Sequence, residues 1–121
     1  MNDADSLRIE TYEQGDVPVV AAKGDVDLST AHTLKEALEH SCQSREGTGT
    51  LAIDIREVTF IDSAGLALLV EMRKRFVDKC HLALIIAAGS QPERVLKLGR
   101  FDTFLRVCYT PEEVAAVPSA A

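Results

Sequence analysis

The sequence predicts an α/β domain built on one mixed, mostly parallel sheet of about five strands, with about four helices. Three observations indicate this class. The chain has 121 residues, which suits a single domain with a substantial core. Short apolar runs alternate with segments of helical periodicity along most of its length. The first two runs are joined by a short turn, so we expect a β-hairpin before the parallel strands.

The predicted hairpin and a first helix occupy the start of the chain. Residues 7–13 alternate apolar and charged side chains, as a half-buried strand does. The Gly-Asp pair that follows predicts a turn, and residues 17–24 return as the second strand. A helix is then predicted from apolar residues at steps of three and four, namely Leu28, Ala31, Leu34, Leu38 and Cys42. Either Ser29 or Asp27 is placed to cap it.

The middle of the chain predicts a strand, a helix and another strand. Residues 50–55 have the pattern of a strand, and residues 58–61 extend it to an Asp-Ser pair. Helical spacing resumes with Leu66, Leu69, Val70, Phe76 and Val77. The unbroken apolar run of residues 81–88 is typical of a strand that is covered on both faces.

The last third predicts two helices around a final strand. A helix over 91–98 begins near a proline and ends at a glycine. A strand over 104–109 follows. Thr110 and Glu113 then form the capping box of a short final helix. We therefore expect one domain over residues 1–121, with a core of about 7–114 and short flexible termini.

Composition and charge argue against nucleic-acid binding, membrane insertion and metal binding. The formal net charge of −6 argues against nucleic acid as a partner, since phosphate polymers favour basic surfaces. The apolar runs are far shorter than the roughly 20 residues of a membrane-spanning helix, and the acidic start of the chain does not resemble a secretory signal. We expect a cytoplasmic protein without membrane contact. The three cysteines and three histidines lack metal-ligand spacing, so we expect packed thiols, no metal and no cofactor.

Asp62 and Ser63 lie where the third predicted strand meets the next helix. Both residue types cap helices, but one cap suffices, so the hydroxyl is either a cap or a group that another molecule reaches. A serine hydrolase needs a general base near its nucleophile. Ser63 lacks the leading glycine of a Gly-x-Ser-x-Gly turn, and His81 is expected at the opposite edge of the sheet. These observations argue against a serine hydrolase, and we predict that the chain is not an enzyme.

Two stretches resemble a known family. "GDVDLSTA" (24–31) and "VTFIDSAGLALLV" (58–70) are similar to the STAS domain of anti-sigma factor antagonists, and the likeness spans about residues 7–114. It implies that Ser63 is phosphorylated by a partner that is both an anti-sigma factor and a serine kinase. The partner-binding residues that it implies are Asp25, Asp27, Ser29, Thr30, Asp62, Ser63, Ala64, Gly65 and Leu66. Asp25 stands where the family often has glutamate.

The resemblance implies a switch. The unmodified chain is expected to bind the anti-sigma kinase and so release the sigma factor, and a phosphate on Ser63 is expected to abolish binding. ATP and magnesium would belong to the kinase, and a serine phosphatase would reset the switch. Gly65 has a competing role in close packing of helix against sheet.

A second hypothesis is a STAS accessory subunit of a transporter or of another signalling complex, without phosphorylation of the serine. The oligomeric state stays open.

Overall fold

The computed structural model describes residues 7–43, 49–76 and 79–115. The elements in this part of the chain are β1 (Leu7–Gln14), β2 (Val17–Val26), α1 (Ala31–Gln43), β3 (Thr50–Ile61), α2 (Ser63–Phe76), β4 (His81–Ile85), α3 (Gln91–Leu98), β5 (Arg106–Cys108) and α4 (Pro111–Ala115). A short 3-10 turn, Phe101–Thr103, precedes β5. The predicted α/β class with five strands and four helices is confirmed. The predicted flexible termini and Val77 lie outside the described residues.

The sheet grows in one direction, in the order β1-β2-β3-β4-β5. β1 and β2 form the predicted antiparallel hairpin, and every later pairing is parallel. Because parallel crossovers are almost always right-handed, successive crossovers in a sheet of this order place their helices on the same face. Apolar residues of α1, α2 and α3 pack there against the strands, including Leu34, Leu38, Leu69, Met72, Leu96, Val20, Ile53 and Leu84.

The other face of the sheet carries α4 and a polar network. Val114 of α4 packs into a smaller apolar cluster on that face. Nearby, the Arg56 guanidinium donates from Nε and Nη2 to the two carboxylate oxygens of Asp54, at 3.0 and 2.8 Å. The Tyr12 hydroxyl donates to the same carboxylate at 2.8 Å. Asp54 is buried, and these bonds compensate for the loss of water around its charge.

This network predicts a loss of stability in acid. Burial raises the pKa of Asp54, but the hydrogen bonds from Arg56 and Tyr12 outweigh it and leave the pKa below its ordinary value. A carboxyl group whose pKa is lower in the folded state stabilises the fold at pH values above its pKa in the unfolded state. That stability is lost as the pH falls through its pKa in the folded state. We expect the free energy of unfolding, measured in urea, to decline below about pH 4.

Asp54→Asn is expected to make that decline shallower. The decline should not vanish, since the pKa values of Asp27, Glu93 and Glu113 are also lowered by hydrogen bonds. An unchanged pH slope in Asp54→Asn would contradict the assignment.

Two strands are shorter than predicted because their ends enter turns. β4 stops at Ile85 instead of residue 88, and Ser90 N–H donates to the Ala87 carbonyl as the chain reverses into α3. β5 covers three residues instead of six, because Phe104 and Leu105 donate their N–H groups to the Phe101 carbonyl of the preceding turn. The predicted helix over 91–98 is confirmed.

Candidate functional site

The two sequence motifs meet at one end of the sheet. β2 and β3 run parallel, and Val26 pairs with Ile61 at their carboxyl ends. The chain therefore leaves both strands side by side, at Asp27 and Asp62. The N–H group of Asp62 donates to the Val26 carbonyl at 3.1 Å, which joins the two exits directly. Such carboxyl ends are where α/β sheets place their binding sites.

Asp62 caps α2 and also holds the neighbouring loop. Its Oδ1 accepts the Gly65 N–H at 3.0 Å, and its carbonyl accepts the first helical N–H, from Leu66, at 2.9 Å. Its Oδ2 accepts the Leu28 N–H at 3.3 Å. One carboxylate thus satisfies an N–H group of the helix and fixes the loop after β2. Asp62, and not Ser63, is therefore the N-terminal cap of α2.

Ser63 is left without a capping role. It is the first residue of α2 and is exposed to solvent. Within the described part of the chain, no hydrogen bond engages its hydroxyl. The hydroxyl therefore lies at the positive end of a 14-residue helix, where another molecule can reach it.

The loop of residues 25–30 is held by its own side chains. Oδ1 of Asp27 accepts the N–H groups of Ser29 and Thr30 at 3.0 and 3.1 Å, and the Ser29 hydroxyl at 2.8 Å. Thr30 Oγ1 accepts the Asp27 N–H at 2.9 Å and donates to the Asp25 carbonyl at 2.8 Å. The Ser29 hydroxyl is the main cause of a lowered pKa for Asp27, so this acid stays ionised at neutral pH.

Most predicted partner-binding residues lie on the surface at this end of the domain. Those that are exposed or half-buried are Asp25, Asp27, Ser29, Asp62, Ser63, Ala64 and Leu66. Asp25 accepts a hydrogen bond from the Thr59 hydroxyl at 2.7 Å.

Thr30 and Gly65 are buried, and a role in direct contact does not fit their position. A Cβ atom on Gly65 would lie 2.5 Å from Ile61 Cγ1 and 2.8 Å from the Val26 carbonyl oxygen. The alternative role of Gly65, close packing of α2 on the sheet, is therefore the one its surroundings support. Thr30 positions the loop from inside through its hydrogen bonds.

A groove of about 700 Å³ begins at Ser63 and follows the exposed side of α2. Leu66, Ala67, Val70 and Phe101 give it an apolar lining. Charged residues also line it, namely Glu71, Lys74 and Arg75. An exposed apolar groove of this kind is typical of sites that bind another protein or a ligand.

Sequence reasoning missed Leu28 and Gln91. The spacing of Leu28 predicts a place in the buried stripe of the first helix, but α1 begins three residues later and the Leu28 side chain is 82% exposed. Gln91 Oε1 accepts the Ile61 N–H at 2.9 Å, and its Nε2 donates to the Ile61 carbonyl at 3.0 Å. A signal for Gln91 existed, because β3 extends past its β4 partner and its backbone groups need another partner there.

His81, the histidine considered as a general base for Ser63, lies at the other end of the strands. His81 pairs with Thr50 at the first residues of β4 and β3, whereas Ser63 follows the last residue of β3. The predicted separation of His81 from Ser63 is confirmed. Within residues 7–43, 49–76 and 79–115, no cluster of three or more acidic, His or Cys side chains is arranged to hold a metal ion. No helix in the same ranges has the length and hydropathy to cross a bilayer.

The cap makes a direct prediction about stability. Asp62→Ala removes the acceptor for both the Gly65 and Leu28 N–H groups, so we expect the free energy of unfolding to fall by about 1–2 kcal/mol. Asp62→Asn keeps an oxygen acceptor and is the matched control, expected to lose about half as much or less. Urea unfolding followed by circular dichroism measures both. Equal stability of Asp62→Ala and the unmodified chain would contradict the capping role.

Comparison with known families decides the assignment. Residues 8–114 match the profile of the STAS domain. The chain belongs to the STAS domain family. The resemblance seen in the two sequence motifs is thereby confirmed, and the match covers nearly the whole described part of the chain.

Relatives of this STAS domain include named regulators. The anti-sigma-F factor antagonist RsfB of Mycobacterium tuberculosis is 27% identical over 110 residues, which cover 91% of this chain and 88% of RsfB. The crystal structure of an anti-sigma factor antagonist from Mycobacterium paratuberculosis superposes with a TM-score of 0.80, at 21% identity, over 95% of this chain and 96% of that one.

SpoIIAA, an anti-sigma factor antagonist solved in its unphosphorylated form, superposes with a TM-score of 0.64 at 14% identity, over 94% of this chain and 99% of SpoIIAA. SpoIIAA from Bacillus was also solved in a phosphorylated form, with a TM-score of 0.58 at 15% identity, over 92% of this chain and 100% of SpoIIAA. At these identities the solved structures establish the fold alone.

Proposed function

We propose that this STAS domain is an anti-sigma factor antagonist that acts by partner switching. In its unmodified form it binds an anti-sigma factor that is also a serine kinase, and the sigma factor is released. The kinase then transfers phosphate from ATP to Ser63, and the phosphorylated chain no longer binds. A serine phosphatase resets the switch. The chain is a substrate and a binding protein in the cytoplasm, and the nucleotide and magnesium belong to the kinase.

One observation carries this proposal. The Ser63 hydroxyl is exposed at the first residue of α2, and Asp62 performs the capping that a serine at a helix start usually provides. A hydroxyl without a structural duty can be modified without cost to the fold. Its position also suits the product, since a helix N-terminus favours an added anion by roughly 0.3–1 kcal/mol. The names of the mycobacterial relatives support the same function.

The surface around Ser63 supports a protein partner. The exposed Leu28 side chain lies on the loop that Asp62 holds, and the apolar groove along α2 begins at Ser63 itself. Asp27 and Asp62 add negative charge at the same end of the sheet. We therefore infer a partner surface with an apolar centre and with cationic groups that face the two acids.

The proposal is tested by sigma factor release. The purified chain is added to a preformed complex of the sigma factor with its anti-sigma factor from the same organism, and free sigma factor is measured by size-exclusion chromatography. We expect release by the unmodified chain and by Ser63→Ala, but much less by Ser63→Asp. Release that is equal for all three would contradict the switch. Failure of every form to bind any anti-sigma factor would favour an accessory subunit of a transporter or of another signalling complex.

A further inference from the structure

Two of the three thiols lie against each other in the core. Sγ of Cys42, in the last turn of α1, is 3.4 Å from Sγ of Cys80, the residue immediately before β4. Both thiols are free and buried, although 38 positions separate them in the sequence. Spacing in the sequence gave no sign of this pair, because no Cys-x-x-Cys motif is present.

We propose that Cys42 and Cys80 are a modification site, at which hydrogen peroxide forms a reversible disulfide within the chain. A disulfide has an S–S length of about 2.04 Å, so the two sulfur atoms need to approach by only about 1.4 Å. Side-chain rotation accounts for movements of this size without unfolding of the elements that carry the thiols. The two sulfur atoms are therefore already close to the separation that the product requires.

The reaction balances with one peroxide. The thiolate of one cysteine attacks an oxygen of hydrogen peroxide, the O–O bond breaks, and a sulfenic acid and hydroxide form. The hydroxide takes up the proton that the thiol had released and becomes water. The second thiol attacks the sulfenic sulfur, the S–S bond forms, and a second water leaves with its proton. The two thiols together lose two electrons and two protons, and the peroxide is reduced to two waters.

Burial selects the oxidant and slows the reaction. Desolvation, with a further contribution from Cys42, raises the pKa of the Cys80 thiol to about 12, so its thiolate is scarce at neutral pH. A small neutral oxidant such as peroxide can enter by local opening, whereas a large disulfide such as oxidised glutathione is excluded. We expect formation over minutes to hours instead of seconds.

The disulfide would lie away from the partner-binding surface. Cys80 precedes the first residue of β4, which pairs with the first residue of β3, and Ser63 follows the opposite end of β3. The bond would tie the end of α1 to the start of β4. We expect a higher melting temperature, by several degrees, and unchanged binding of the anti-sigma factor.

The test is oxidation of the full chain with hydrogen peroxide, alkylation of remaining thiols and intact mass measurement. We expect a chain that carries one alkyl group instead of three and is about 2 Da lighter than a singly alkylated reduced chain, a peptide that contains Cys42 joined to Cys80, and reversal by dithiothreitol. Cys108, buried on the opposite face of the sheet, provides the matched control. Cys108→Ser should keep the bond, whereas Cys42→Ser and Cys80→Ser should lose it.

Three outcomes would overturn the proposal. They are sulfinic acid on both cysteines with no cross-linked peptide, disulfides only between chains, and an unreacted pair after prolonged exposure. The peptide map of the unmodified sequence decides the matter even if a serine variant fails to fold.

Discussion

Phosphorylation of Ser63 is expected to lower the affinity for the anti-sigma factor at least tenfold. A phosphoserine adds about −1.5 to −2 charges beside Asp62, and Leu28 N–H ties the Asp27 loop to the same place. Docking removes water from this group of anions, so their mutual repulsion grows as the complex forms. Two unit charges about 4 Å apart at a protein surface repel by about 4 kcal/mol, and about a third of that energy is a tenfold change in affinity.

Titration calorimetry of the phosphorylated and unmodified chains against one anti-sigma factor measures this difference. The Ser63→Ala variant is the control, and we expect it to bind within a few-fold of the unmodified chain because it adds neither charge nor bulk. The difference should shrink at high salt, since part of it is electrostatic. Equal affinities of the phosphorylated and unmodified chains would show that phosphorylation of Ser63 does not control binding.

Leu28→Ala is expected to weaken binding of the anti-sigma factor about tenfold while leaving stability unchanged. The side chain is 82% exposed, so the free domain gains little from it. Full burial of a leucine in an interface contributes about 1.5–3 kcal/mol, and truncation to alanine removes most of that contribution. Its backbone is anchored by Asp62 beside the phosphoacceptor, which places Leu28 at the centre of the proposed surface.

The chain contains a matched control for Leu28. Leu98, the last residue of α3, is 85% exposed and does not line the groove that begins at Ser63. Leu98→Ala removes the same atoms from a similarly exposed position, so we expect the affinity to stay within about twofold. Surface plasmon resonance of the two variants compares them directly. A larger loss in Leu98→Ala than in Leu28→Ala would move the partner surface away from the Ser63 end of the domain.

The fold could be predicted from the sequence because its signals are local. Turn residues lie between β1 and β2, at Gly15 and Asp16, and between β4 and α3, at Gly89 and Ser90, and the order of elements admits few topologies. The final helix illustrates this. Its predicted capping box is present, with Glu113 N–H donating to Thr110 Oγ1 at 3.3 Å and Thr110 N–H donating to Glu113 Oε1 at 2.9 Å.

The details of the site depend on tertiary contacts that the hydrophobic periodicity of the sequence does not predict. The bond from Leu28 to Asp62 depends on the register of β2 against β3, and two shifts interrupt that register before the strands end. The helical spacing of Leu28 extends into the loop before α1, so the pattern alone predicts a core position that the structure does not have. Thr30 and Gly65 belong to the right motifs, but their burial is set by the packing of both helices on the sheet.

The most direct measurement for the central claim is the location of the phosphate. The chain is incubated with its anti-sigma kinase, ATP and magnesium, and then analysed by intact mass and peptide mapping. We predict a single phosphate on Ser63 and no modification of Ser63→Ala. Phosphate on another residue, or the same incorporation in Ser63→Ala, would contradict the account.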